Sequence, residues 1–368
     1  MKRLLACTSF LAVALTACQP ANSDVIKIGF IGPLTGDAAA YGVDTLNGVQ
    51  LKVEEINASG GIDGKKIQLV PEDSKCNGSD AATATQKLTG VDHVVAIVGG
   101  SCSSETLAAA PIVEATKTPL MSPLSSSPDL TEAGEYVFRD YPSDALKTKA
   151  MAAYFKAEGF TNVAVITENT DFAQGFRQSL AKDFGTFVFD EVVEPGTKDF
   201  RSLVTRLKSA EFDVFVANGQ SPATISAMVV QLREQGLTQL AITHDAGQAE
   251  ETITIGGDGV ENLQAINVPS LGEETAFGKN LVEKHGKPRG AIAFAGHAYD
   301  AVGVLAQAID EVGTDGAAIQ KYLNDLTSYK GVVGDFSFDD NGDVVGINYK
   351  LIEVQDGKWV ELRDAPVQ

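Results

Sequence analysis

The chain has 368 residues, of which 44% are hydrophobic and 21% charged; these proportions exclude a disordered tail protein and suit two or three globular domains. Acidic side chains outnumber basic ones by 49 to 29, for a net charge of −20, which argues against a face for nucleic acid or for anionic lipid and in favour of a soluble monomer. Four histidines and four cysteines leave little material for a His-rich metal site.

The chain opens on Lys2 and Arg3, followed by an apolar run from Leu4 to Ala17. That run is too short to cross a bilayer core of about 30 Å as a helix and has the build of a signal-peptide h-region. It ends in Leu15-Thr16-Ala17-Cys18, which resembles a bacterial lipobox, with cleavage before Cys18 and lipidation of its thiol; the plainer alternative is an ordinary signal peptide cut near Ala17. Either way the body is exported. Residues 1–17 then form the leader and 18–24 a polar tether. Cys7 leaves with the leader and Cys18 is the lipid site, so Cys76 and Cys102 remain in an oxidising compartment, where a disulfide is the default. Neither has the neighbouring Cys or His that zinc requires. No later segment reads as a membrane span.

From Val25 onward, short β-rich runs alternate with amphipathic stretches. A buried strand is expected at 25–31, and Leu46, Val49, Val53 and Ile56 mark one helix face up to the stop at Asn57–Gly61. Strand 66–71, helix 81–88, strand 94–98 and helix 104–116 follow, the last with a kink or break at Pro111. A strand ends at Met121. After a loop over 123–143 the rhythm restarts with strand 163–166, helix 172–184, strand 187–193, helix 200–209 and strand 214–217. A helix face at 225–232, strands at 240–243 and 263–266, and helices near 274–285, 293–311 and 316–326 complete it. The C-terminal part reads as a β-hairpin, 332–338 and 344–354, about the turn Asp339–Gly342. Two such series imply an α/β fold of two doubly wound, mostly parallel sheets with a ligand cleft between them.

Catalytic signatures are missing. There is no H-E-x-x-H, P-loop, nucleophile elbow or G-x-G-x-x-G. Asp339-Asp340-Asn341-Gly342-Asp343 fails as a calcium loop because Val344 and Lys350 stand where Gly and Glu are required. The scattered histidines pair with nothing at ligand spacing, and His93 reads as a structural residue opening a strand. The expectation is a binding protein with neither cofactor nor metal.

The loops after the strands carry the specific signal. Gly99-Gly100-Ser101-Cys102-Ser103-Ser104-Glu105 has the composition of a helix N-cap that doubles as an anion cradle. Ser122-Pro123-Leu124-Ser125-Ser126-Ser127 is a hydroxyl-rich loop. Together with Thr35-Gly36-Asp37, Ala40-Tyr41-Gly42, Asn57-Ala58-Ser59-Gly60-Gly61-Ile62-Asp63-Gly64 and Lys198-Asp199-Phe200, this pattern resembles the periplasmic branched-chain-amino-acid-binding proteins, the receptors of ABC importers. The resemblance runs from about residue 25 to 355. It implies two Rossmann-like lobes of the type I periplasmic-binding-protein fold, 25–142 plus 269–346 and 143–268 plus 347–368, joined by three hinge crossovers. It also implies a Cys76–Cys102 disulfide and a flytrap closure on ligand.

By the same resemblance, Ser103, supported by Ser126, receives a ligand carboxylate. The Leu124 carbonyl and Asp245 receive an ammonium, Asp245 standing where the family usually has Glu. Tyr41 lines the side-chain pocket. Phe172 and Gln220 stand where the family has tyrosines, and Gln220 with Asn218 makes the second wall polar. The ligand is then an α-amino acid, branched-chain or related, each end of which needs a partner once water leaves. A small amide such as urea, or a carboxylate, on the same scaffold is the alternative, as is a sensor role in place of import. The implied partners are an ABC permease with its ATPase subunits, with membrane attachment through the lipid alone. Gln19 stands after the lipid site in place of the Asp that retains many Gram-negative lipoproteins at the inner membrane, which points outward, and Trp359 is expected to lie away from the cleft.

Overall fold

The computed structural model describes residues 25–365; the leader, Cys18 and the tether lie outside the described residues. The first series runs β1 (Val25–Gly32), α1 (Ala39–Ala58), β2 (Lys66–Asp73), α2 (Gly78–Lys87), β3 (Ala96–Val98), α3 (Ser103–Thr116), β4 (Leu120–Ser122) and β5 (Val137–Arg139). All five strands pair in parallel in the order β2-β1-β3-β4-β5. β1 is buried almost throughout because it lies inside the sheet with helices over both faces, α1 and the later helix Ile292–Val312 on one and α2 and α3 on the other. The three-residue strand β5 escaped the sequence reading, being shorter than any alternation can mark.

The second series runs α4 (Asp144–Glu158), β6 (Val163–Glu168), α5 (Asp171–Phe184), β7 (Phe189–Val193), α6 (Arg201–Leu207), β8 (Val214–Asn218), α7 (Pro222–Glu234), β9 (Leu240–Thr243), α8 (Glu250–Gly256) and β10 (Gln264–Asn267). After it come α9 (Ala276–His285), α10 (Ile292–Val312), α11 (Gly316–Asn324), β11 (Tyr329–Lys330), β12 (Asp335–Phe338), β13 (Val344–Val345), β14 (Tyr349–Gln355) and β15 (Lys358–Ala365). The second sheet has the order β15-β14-β10-β9-β8-β6-β7, with β14 and β15 antiparallel additions to a parallel core. Its first five strands in chain order repeat the arrangement of the first sheet.

Three expectations need correction. The C-terminal hairpin is real only over β12 and β13; at Gly346, which has φ +107, the chain leaves this small sheet, and β14 joins the second large one. Pro111 does not break α3, since Ala109, Ala110 and Val113 anchor the helix in the core on either side while the proline ring faces outward. His93 caps a helical turn in the left-handed region instead of opening β3. Helices α4 and α8 were not anticipated, although Ser143 caps α4 at one end and Gly159 ends it in the left-handed conformation.

Among the described residues α10 is the one helix long and apolar enough to cross a membrane, but 83% of that stretch is buried. It packs along α1, so closely that a Cβ on Gly48 would fall 2.0 Å from the carbonyl oxygen of Ala295. Its apolarity is that of a core helix.

The disulfide joins Cys76 to Cys102 across 5.4 Å between Cα atoms. It ties the loop after β2 to the first turn of α3, where Cys102 is the N-cap and its N–H donates to Glu105 Oε2 at 2.9 Å.

Candidate functional site

In each sheet the strand order reverses at one point, where helices leave on opposite faces and open a crevice at the strand ends. In the first sheet the loops around this point follow β1, β3 and β4; in the second they follow β6, β8 and β9. The first three deliver Tyr41, Ser103 and Leu124, and the second three deliver Phe172, Gln220 and Asp245. All six line one cavity, joined by Ser101, Ala246 and Phe294. The space there is tight: the volume open to the centre of a water-sized sphere is about 30 Å³.

On the first-lobe wall, Ser103 is the first residue of the 14-residue helix α3, whose dipole favours an anion at this end. Its hydroxyl accepts from the Ser127 N–H at 3.2 Å. The hydroxyls of Ser122 and Ser125 both donate to the Gly100 carbonyl, at 2.8 and 2.9 Å, stitching the two loops together. Ser126 departs from expectation: its hydroxyl donates to Asp144 Oδ2 at 3.0 Å, and it is not among the cavity residues. A buried carboxylate requires donors, and Ser126 supplies one.

The second wall is less polar than expected. Asn218 is wholly buried and turned inward: its Nδ2 donates to Thr167 Oγ1 and the Ala173 carbonyl, and its Oδ1 meets His244 Nε2 at 2.9 Å. Burial pushes His244 down to about 3, so it is a neutral ring, wedged against Phe172 and Phe176 at 4.8 and 4.7 Å between centroids. It holds Phe172 in place. Gln220 is set by its backbone N–H, which donates to Glu168 Oε2 at 2.6 Å.

Asp245 is buried, not an exposed loop carboxylate. Its Oδ1 accepts from Lys147 Nζ at 2.5 Å, and the same ammonium donates to Asp144 Oδ1 at 2.6 Å. Burial alone would raise the Asp245 carboxyl, but Lys147 holds it below its ordinary value. Burial pushes Asp144 up to about 6. No pattern in the sequence singled out Lys147, Ser101, Ala246 or Phe294.

The lobes are closed on each other. The Tyr41 hydroxyl crosses the cleft to the Ala246 carbonyl at 2.6 Å, and the N–H groups of Glu250 and Glu251 reach the carbonyls of Gly290 and Arg289. At the hinge, Tyr141 donates to Asn267 Oδ1 at 2.7 Å and Tyr349 to the Ser143 carbonyl at 2.9 Å. Trp359 is not among the residues of this cavity; its Nε1 donates to the Ala249 carbonyl at 3.3 Å, and it lines a separate space with Gln248, Leu271 and Ile292. Among the described residues no cluster of His, Cys, Asp and Glu is placed to hold a metal.

Burial also raises Asp44 and Asp140 to about 6 and Glu105 to about 7. An acid raised in the folded state binds protons there that the unfolded chain has released, so folding weakens as pH climbs through the window from about 4 to 7. His244 works the opposite way between about 3 and 6.5, one group against five, since burial raises Asp300 as well. The expected result is a melting temperature several degrees higher at pH 5.5 than at pH 7.5, read by scanning calorimetry. A flat profile would mean that these carboxyls are not raised.

The chain resembles known proteins in sequence and in fold. The periplasmic binding protein family matches residues 25–358. A Leu/Ile/Val-binding protein homolog of Brucella melitensis is 30% identical over 98% of this chain and 99% of its own length. The fold superposes on a leucine-binding protein of Thermotoga maritima with TM-score 0.84 at 27% identity, covering 92% of this chain and 98% of that one. It also superposes on the branched-chain amino acid substrate-binding protein of Streptococcus pneumoniae, in complex with isoleucine, with TM-score 0.83 at 29% identity over 92% and 100%. The two lobes, the six converging loops and these matches have one reading: the chain belongs to the periplasmic branched-chain amino acid binding protein family.

Proposed function

We propose that this chain is the extracytoplasmic receptor of an ABC importer and that its cleft closes on one α-amino acid with an aliphatic side chain. The observation that carries this is one cavity lined both by the N-terminus of α3, with Ser103, and by Asp245. The first suits a carboxylate and the second an ammonium, and the rest of the lining is mostly apolar: Tyr41, Leu124, Phe172, Ala246 and Phe294. The comparisons support the same ligand class, since the Streptococcus pneumoniae protein was solved with isoleucine. The relatives are substrate-binding proteins, and on this reading the chain binds its ligand without transforming it. On this reading the closed receptor delivers its ligand to a permease with ATPase subunits, and a lipid on Cys18 tethers it as a monomer.

The test is a thermal-shift screen on residues 19–368, unfolded and refolded to strip carried ligand, against the amino acids, urea and short amides. A ligand at 100 times its dissociation constant adds about 2.7 kcal/mol, several degrees at this size. Leucine, isoleucine or valine is expected to give the shift, and Trp359 emission is expected to change with closure. A shift with amides alone, or with nothing, would overturn the ligand.

A further inference from the structure

Asp144 and Lys147 lie one turn apart on α4, and neither lines the cavity. Lys147 is fully buried between Asp144 and Asp245, at 2.6 and 2.5 Å. Two carboxylates thus share one ammonium, and the group carries a single net negative charge. Only Asp245 reaches the cavity, and Lys147 neutralises it. His244, 3.5 Å from Asp245, is a neutral ring and contributes no charge. Within this triad, the negative charge left for a ligand therefore originates with Asp144, behind the wall; Glu168, whose Oε2 accepts from the Gln220 N–H, is a separate charge that the variants below leave in place.

We propose that Asp144 and Lys147 are positioning residues that set the charge met by the ligand ammonium, one step removed from it, so that the closed site selects ligands with a single cationic group. The inference rests on the reading of Asp245 as the ammonium's partner. Its physical basis is that a unit charge one ion-pair length away is only weakly screened inside a closed, partly buried site. Lys147 has a second effect: it engages Oδ1 of Asp245, which fixes how the short Asp side chain is presented.

The test is calorimetric titration of leucine at pH 8 into the full-length mature protein and its variants Asp144→Asn, Asp144→Asn with Lys147→Met, and Asp245→Asn. Thermal melts confirm that each is folded. Asp144→Asn leaves Lys147 and Asp245 as a neutral pair, and leucine affinity is expected to fall about tenfold or more. The double variant removes one positive and one negative charge together, so that Asp245 is again uncompensated and affinity returns to within about threefold of wild type. A purely structural role for the pair predicts no such rescue. Asp144→Asn binding leucine like wild type, or a double variant no better than Asp144→Asn, would overturn the proposal. Asp245→Asn separates the two readings. If it binds leucine like wild type, the ammonium assignment itself fails; if it loses leucine while Asp144→Asn does not, only the present inference fails.

Discussion

Asp245→Asn is expected to lower the affinity for leucine by roughly 30- to 700-fold, about 2–4 kcal/mol, while leaving the protein folded. The cavity is small and the lobes close over it, so an ammonium inside it has lost most of its water and needs a charged partner. Truncating one side of a buried charged pair costs more than the pair contributes, because the other charge stays stranded. The fold tolerates this change because Lys147 keeps Asp144 at 2.6 Å and remains neutralised. A neutral amide, which asks for no counter-charge, is expected to lose little. Isothermal titration of the refolded protein decides the matter: an unchanged dissociation constant for leucine would remove Asp245 from the binding role.

Six of the seven binding residues expected from sequence line a single cavity, and they do so for a physical reason. Tyr41, Ser103 and Leu124 follow strands of the first series, and Phe172, Gln220 and Asp245 follow the equivalent strands of the second. A strand followed by a Gly- and Ser-rich turn and a helix start is a local pattern, and the sheet order then brings the loops together. What was not legible depends on partners far along the chain. Ser126 looked like a ligand hydroxyl because its sequence neighbours are ligand-like, but it answers to Asp144, 18 residues away. Asn218 looked like wall and is spent on His244 and Thr167. The run from Val344 to Val354 is β-rich throughout, yet Gly346 turns it from one sheet into another. Lys147 was the largest omission. A lysine on a helix reads as solvent-facing, and its second partner stands 98 positions away.

Lys147→Met is expected to destabilise the protein by about 3–5 kcal/mol, or roughly 6–20 °C in melting temperature. The variant leaves Asp144 and Asp245 buried without their shared cation. Ser126 still donates to Asp144, but a hydroxyl does not offset a charge in a dry site. One of the two carboxyls is then expected to take up a proton near neutral pH, as like charges sharing a site do. This gives the variant a signature that simple loss of packing lacks. Its deficit against wild type is largest at pH 8 and shrinks as the pH falls toward 5, where protonation removes the repulsion, and it shrinks again when Asp144→Asn is added. Methionine keeps much of the lysine stem's volume, so a cavity is not the cause of the loss. Scanning calorimetry over that pH range reads the effect. A Lys147→Met protein melting within a degree or two of wild type at pH 8 would show that the buried triad does not hold the second lobe's wall together. It would also remove the structural basis for treating Asp144, Lys147 and Asp245 as one charged unit.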